Sequence, residues 1–317
     1  MKNLASLLVL ALPLTLACGG DESTGGAGGT AGAGGAGGTG SVFSADPPLV
    51  LDEDERPAMV AIPSDYDPET SYPLVIVLHG FGVTGAIQAG FWRMFDAIDE
   101  KQFVMVYPDG IDASWNATEA CCDPTGEVDD VGYVSGLIEE AQEVYNIDAD
   151  RVYLMGHSNG GFMSFRMACE RSDLITAIVS LAGSTFDDPA DCQPATLPVS
   201  VLAVHSTNDG TIFYDGGTTV FGGDYPGAVE TVERFAAQAG CDVGSTTMLE
   251  SIDLTNDYDG AETERVAYTT GCDAGLDAEL WTLLPLECAA TACNPHIPVF
   301  TEVWADVTTD WLFRHSR

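Results

Sequence analysis

The chain has 317 residues, with 49 acidic against 11 basic side chains and a formal net charge of −38. A surface this acidic repels nucleic acid and anionic membrane, so neither is an expected partner. Setting aside a low-complexity start, roughly 275 residues remain, which suits one large α/β domain or a domain with an insertion.

Residues 1–17 begin with Met1-Lys2-Asn3 and continue as an apolar run. The run is too short to span a bilayer as a helix, and it reads as a bacterial export signal. Cys18 follows Leu16-Ala17 and is the candidate for lipid attachment. Residues 18–45 are dominated by Gly, Ala, Thr and Ser. No core can be built from them, so they are expected to be a flexible tether. The folded domain is expected over 46–317. The protein is therefore expected to be exported, either lipid-anchored at the cell envelope or secreted.

Within the domain, 59–63 reads as a strand ending at Pro63, and 64–72 as a polar turn segment. Residues 74–78 are all Leu, Val or Ile, as in a central strand buried on both faces. The strand runs into His79-Gly80-Phe81-Gly82, a glycine-bearing loop at a carboxyl end, where open α/β sheets place ligands. A helix is expected over 91–100, a strand over 103–107, and a loop over 115–128. Asp129 or Asp130 can cap a helix reaching Tyr145. Further strands are expected near 151–155, 174–181, 199–204, 248–252, 265–268 and 279–284, with helices over 230–237 and 303–313. Strands and helices alternate, so the fold class is α/β with a mainly parallel central sheet flanked by helices.

Eight cysteines remain beyond Cys18: Cys121, Cys122, Cys169, Cys192, Cys241, Cys272, Cys288 and Cys293. An even count in an exported chain points to disulfides. Cys241 and Cys272 flank one polar segment, and Cys288 with Cys293 can close a small loop. The connectivity of the other four stays open. No cysteine spacing points to zinc.

Gly156-His157-Ser158-Asn159-Gly160 reads G-x-S-x-G between a β-prone segment and a plausible helix. That is the setting of a nucleophile elbow, which lifts a serine hydroxyl above the sheet. A serine needs a base, and the base needs an orienting carboxylate. His315 is expected on the surface, and His157 is expected to point away from Ser158. His296, in Asn294-Pro295-His296-Ile297-Pro298, follows the last strand and is the expected base. Asp209, in Thr207-Asn208-Asp209-Gly210, follows the strand at 199–204 and is the expected acid. Backbone N–H groups of Phe81 and Asn159 are the expected oxyanion donors. Trp115, Asn116, Phe213 and Tyr214 are the expected pocket residues.

These motifs carry a resemblance. Pro73 through Gly80, Tyr107-Pro108-Asp109-Gly110, Trp115-Asn116 with Cys121-Cys122, Val128-Asp129-Asp130-Val131-Gly132, the elbow and His296-Ile297-Pro298 resemble the secreted polyhydroxybutyrate-depolymerase-like and feruloyl-esterase-like serine esterases. The resemblance runs from about residue 59 to 313. It implies an α/β-hydrolase fold, a Ser158-Asp209-His296 triad, and cleavage of carboxylic esters without metal or organic cofactor. The implied substrates are small or oligomeric feruloyl/aryl, acetyl or short hydroxyalkanoate esters, of plant cell-wall or polyester origin. Where relatives carry His-Gly-Thr in the acid loop, this chain has His205-Ser206-Thr207. Polymer-degrading relatives often carry a separate polymer-binding domain after a linker, and none is expected within these residues. A peptidase or acyltransferase on the same triad is the alternative among enzymes, and a non-catalytic binding protein is the alternative outside them. A glycoside hydrolase would need two opposed carboxylates, and no acidic spacing selects such a pair.

Overall fold

A computed structural model of the chain describes residues 43–122, 126–193, 197–257, 260–284 and 294–317. The expected signal, Cys18 and nearly all of the tether lie outside them, as do Cys288 and Cys293. Among the described residues, no helix is long and apolar enough to cross a membrane.

The strands are β1 (Val50–Leu51), β2 (Ala58–Ala61), β3 (Tyr72–Leu78), β4 (Val104–Tyr107), β5 (Ile147–His157), β6 (Ala177–Leu181), β7 (Ser200–Ser206), β8 (Gly216–Thr218), β9 (Asp224–Pro226), β10 (Thr247–Ile252), β11 (Thr263–Tyr268) and β12 (Ala278–Leu283). The helices are α1 (Gly85–Phe91), α2 (Met94–Lys101), α3 (Asp130–Val144), α4 (Asn159–Glu170), α5 (Ala228–Gln238) and α6 (Val303–Phe313). Among the described residues, ten strands form one sheet in the order β1-β2-β4-β3-β5-β6-β7-β12-β11-β10. The central run β4-β3-β5-β6-β7-β12 is parallel, and antiparallel pairs close both ends.

Alternation along β3 shows how the two faces are filled. Leu74, Ile76 and Leu78 enter one core with side chains of α3, α4 and α5, whereas Val75 and Val77 enter the other with those of α1, α2 and α6. A strand buried on both faces favours an unbroken apolar run, and β3 is buried throughout. The sheet therefore fixes the carboxyl ends of β3, β5, β7 and β12 relative to one another.

Three local expectations change. The helix expected over 91–100 begins only at Met94, and a separate helix precedes it over Gly85–Phe91, with Arg93, whose φ is 57°, between the two. Thr84 caps the first by accepting from the Ile87 amide. The β8–β9 hairpin follows the acid loop, where no element was expected. His315 is buried rather than on the surface, with its Nε2 3.0 Å from Asp277 Oδ1.

Three disulfides are present among the described residues: Cys121–Cys122, Cys169–Cys192 and Cys241–Cys272. The last is the pair expected from sequence. The first two resolve the open connectivity.

Candidate active site

β5 ends at His157 and α4 starts at Asn159, so Ser158 alone makes the turn, at φ 51° and ψ −115°. A non-glycine residue with positive φ is strained, and such strain persists only where its surroundings enforce it. The flanking glycines allow the turn. A Cβ on Gly156 would lie 2.0 Å from the Gly160 carbonyl oxygen, and one on Gly160 would lie 2.3 Å from that of Leu78. The Ser158 amide is anchored by donating to Leu181 O at 2.8 Å.

Asp209 stands in the loop after β7, and its side chain is fully buried. Its Oδ1 accepts from the Thr211 and Ile212 amides at 2.8 and 3.1 Å. Its Oδ2 lies 2.8 Å from His296 Nδ1. Burial pushes the carboxyl up, but the neighbouring His205 and His296 rings, together with the Thr211 amide, outweigh it and hold the group below the usual carboxylate range. Of the two rings, His296 is the main partner. His205 Nε2 lies 2.8 Å from the Ile212 carbonyl and 3.5 Å from Asp209, and its N–H serves the nearer acceptor. With Nδ1–H of His296 directed at Asp209, the hydrogen-bond network assigns Nε2 as the acceptor.

The loop after β3 is pinned from several sides. His79 Nδ1 donates to Gly80 O at 2.8 Å while its Nε2 accepts from the Gly110 amide at 2.8 Å, which fixes a neutral ring. Burial lowers the affinity of His79 for a further proton. The Gln88 carboxamide oxygen accepts from the Gly80 amide at 3.4 Å, and the Gly82 amide donates to Ala113 O at 2.8 Å. Between them the Phe81 amide has no acceptor among the described residues. The Asn159 amide opens α4, where the first turn offers no intrahelical acceptor.

A cavity of about 590 Å³ opens at this point. Ser158, His157, His296, Phe81 and Phe213 line it, together with Phe91, Phe221, the Cys121–Cys122 pair and the α1 side chains Ile87 and Gln88. Trp115, Asn116 and Tyr214, expected in its wall, are not among the lining residues. Trp115 is fully buried against His79, with ring centroids 4.9 Å apart, and its indole N–H donates to His79 O at 3.0 Å. Asn116 donates its side-chain amide to Val128 O at 2.8 Å. The Tyr214 hydroxyl meets that of Thr282 at 3.0 Å. All three build the frame behind the cavity. Among the described residues no group of three or more His, Cys, Asp or Glu side chains is placed to hold a metal ion.

Two contacts were not anticipated. The Asn159 side chain accepts from the Trp115 amide at 2.7 Å and donates to its carbonyl at 2.9 Å, tying the elbow to the loop after β4. His157 is not turned out of the site. Its ring lines the cavity, and Nε2 donates to the His296 carbonyl at 2.9 Å. Burial, followed by the neighbouring His296, lowers its pKa from 6.5 to about 4. An unfolded His157 therefore takes up a proton between pH 6.5 and 4 that the native ring refuses. Stability falls as pH drops through that window, by roughly 2–3 kcal/mol between pH 7 and 4.5. Denaturant unfolding of wild type and His157→Gln at both pH values is expected to show that much less pH dependence in the variant. Equal dependence in the two proteins would refute the assignment.

Residues 73–201 match the family model described as alpha/beta hydrolase fold. Among curated proteins, the chain is 30% identical over 181 residues to a putative esterase NocK of Nocardia uniformis subsp. tsuyamanensis, covering 54% of this chain and 52% of that protein. It is 27% identical over 197 residues to a probable feruloyl esterase C of Aspergillus niger, covering 60% and 64%. It is 25% identical over 228 residues to feruloyl esterase C of Emericella nidulans, covering 69% and 76%. The chain thus spans about half to two thirds of the first two relatives' length. Among solved structures, an acetyl xylan esterase from Aspergillus awamori superposes with a TM-score of 0.54 at 14% identity, over 81% of this chain and 94% of that one. A thermostable esterase superposes with a TM-score of 0.52 at 18% identity, over 82% and 59%. At such identities the likeness speaks for the fold alone. The matched segment, the sheet order and the elbow together show that the chain has the α/β-hydrolase fold.

Proposed function

We propose that the chain is a serine carboxylic ester hydrolase acting through an acyl-enzyme, with Ser158 as nucleophile, His296 as base and Asp209 as its orienting acid. One observation carries the reading. A strained serine and a histidine bonded at 2.8 Å to a buried carboxylate share a single apolar cavity. His296 Nε2 takes the Ser158 proton as Oγ attacks the ester carbonyl. The Phe81 and Asn159 amides stabilise the oxyanion. The intermediate collapses as His296 returns the proton to the leaving alkoxide, and water then repeats the sequence to free the acid.

The acyl group is an aromatic one of the feruloyl type. Phe81, Phe91, Phe213 and Phe221 in the wall support that reading, as do the names of the feruloyl esterase relatives. The test is a panel of methyl ferulate, methyl acetate and methyl 3-hydroxybutyrate. The highest kcat/KM is expected on ferulate. A preference for 3-hydroxybutyrate would assign the cavity to short hydroxy acids, and no turnover of any ester would overturn the hydrolase reading.

A further inference from the structure

A disulfide stabilises a fold mainly by closing a loop of chain, and the effect grows with the loop. Cys169–Cys192 spans 23 positions and Cys241–Cys272 spans 31. Cys121–Cys122 joins sequence neighbours and encloses no chain. Its location must account for it, and it lies in the wall of the cavity that holds Ser158.

The pair is held firmly there. Cys121 exchanges backbone hydrogen bonds with Thr118 at 3.0 and 3.2 Å, and the Ser114 hydroxyl donates to Cys122 O at 3.2 Å. The Thr219 hydroxyl, in the turn of the β8–β9 hairpin, donates to Ala120 O. The hairpin lies directly on this loop, since a Cβ on Gly223 would sit 2.0 Å from Glu119 O. Through Trp115 the same loop is tied to the Asn159 side chain, whose backbone amide is the proposed oxyanion donor. The disulfide is thus fixed relative to the point where an ester carbonyl would bind. Chemically it is a flat, polarisable surface with no hydrogen-bond donor, and sulfur makes favourable contacts with aromatic rings. Beside it the hairpin residue Phe221 meets Phe81 edge to face, with centroids 5.5 Å apart.

We propose that the Cys121–Cys122 disulfide is a substrate-contacting group, the surface against which the aromatic ring of the acyl group packs. The proposal rests on the ester-hydrolase reading above. His296 must protonate the leaving oxygen, so the alcohol lies on its side, by Ile297. The acyl group is left the walls made by the disulfide, the hairpin turn and α1.

The test compares wild type with the Cys121→Ser/Cys122→Ser double variant on methyl ferulate and methyl acetate. These esters share an alcohol and differ only in the acyl group. The ratio of kcat/KM for ferulate over acetate is expected to fall about tenfold in the variant, chiefly through a rise in KM for ferulate. An unchanged ratio, or a parallel loss on both esters, overturns the proposal. Wild type inactive on both esters would bring down the hydrolase reading instead. A crystal structure of Ser158→Ala with methyl ferulate gives an answer that does not depend on the double variant folding. The ring is expected within about 4 Å of a Cys121 or Cys122 sulfur. A ring seated against Phe213 and away from the disulfide would reject it.

Discussion

Replacing Ser158 by alanine is expected to lower kcat on a short ester by about 10⁶-fold, as loss of a triad nucleophile does elsewhere. The fold should be untouched. Alanine keeps the Cβ that already tolerates φ 51°, and no side-chain hydrogen bond of Ser158 caps α4. A residual rate above the uncatalysed one is expected from the oxyanion donors alone. The measurement is single-turnover kinetics on the purified variant, with circular dichroism to establish that it is folded. A folded variant within tenfold of wild type would remove Ser158 from the mechanism and with it the proposed acyl-enzyme.

The sequence was most informative where sterics leave one solution. At Gly156 and Gly160 any side chain would enter a neighbouring backbone, so the elbow is written in residue types. The apolar run of β3 is equally direct, because both faces of that strand are covered. The acid and base were placed by strand order, and the structure brings Asp209 and His296 to 2.8 Å. Long-range packing was not legible. The break at Arg93 depends on a left-handed residue that local propensity does not favour. The β8–β9 hairpin is short and glycine-rich, with no period-2 apolar pattern, and it is held by the loop beneath it. Trp115 looked like a pocket residue because it follows a strand at the right end of the sheet. Only the fold reveals that it lies under His79. His157, expected to point away from Ser158, instead lines the cavity. Its acceptor is a carbonyl 139 positions away, and nothing in the elbow motif specifies that contact.

Asp209→Asn is expected to cost about 10⁴-fold in kcat while leaving the protein folded. In wild type, Oδ2 of the carboxylate can only accept, so His296 keeps its proton on Nδ1 and presents a bare Nε2 to the serine. An asparagine whose Oδ1 continues to serve the Thr211 and Ile212 amides must turn its NH₂ toward His296. That group can only donate, so Nδ1 becomes the acceptor and the proton moves to Nε2. The ring is then well placed but in the wrong tautomer, and it cannot take the proton from Ser158. The charge of Asp209 also matters, because it stabilises the imidazolium that forms during attack. Burial alone would have raised the carboxyl, yet the ring and amide donors hold it below the usual range. It therefore stays ionised through neutral and mildly acidic pH. The check is kcat against pH for wild type and Asp209→Asn, with His205→Gln alongside. His205 faces Ile212 more closely than Asp209, so its folded variant should retain most of the rate. Loss of the rate on changing His205, with Asp209→Asn active within tenfold of wild type, would show that the acid has been assigned to the wrong residue.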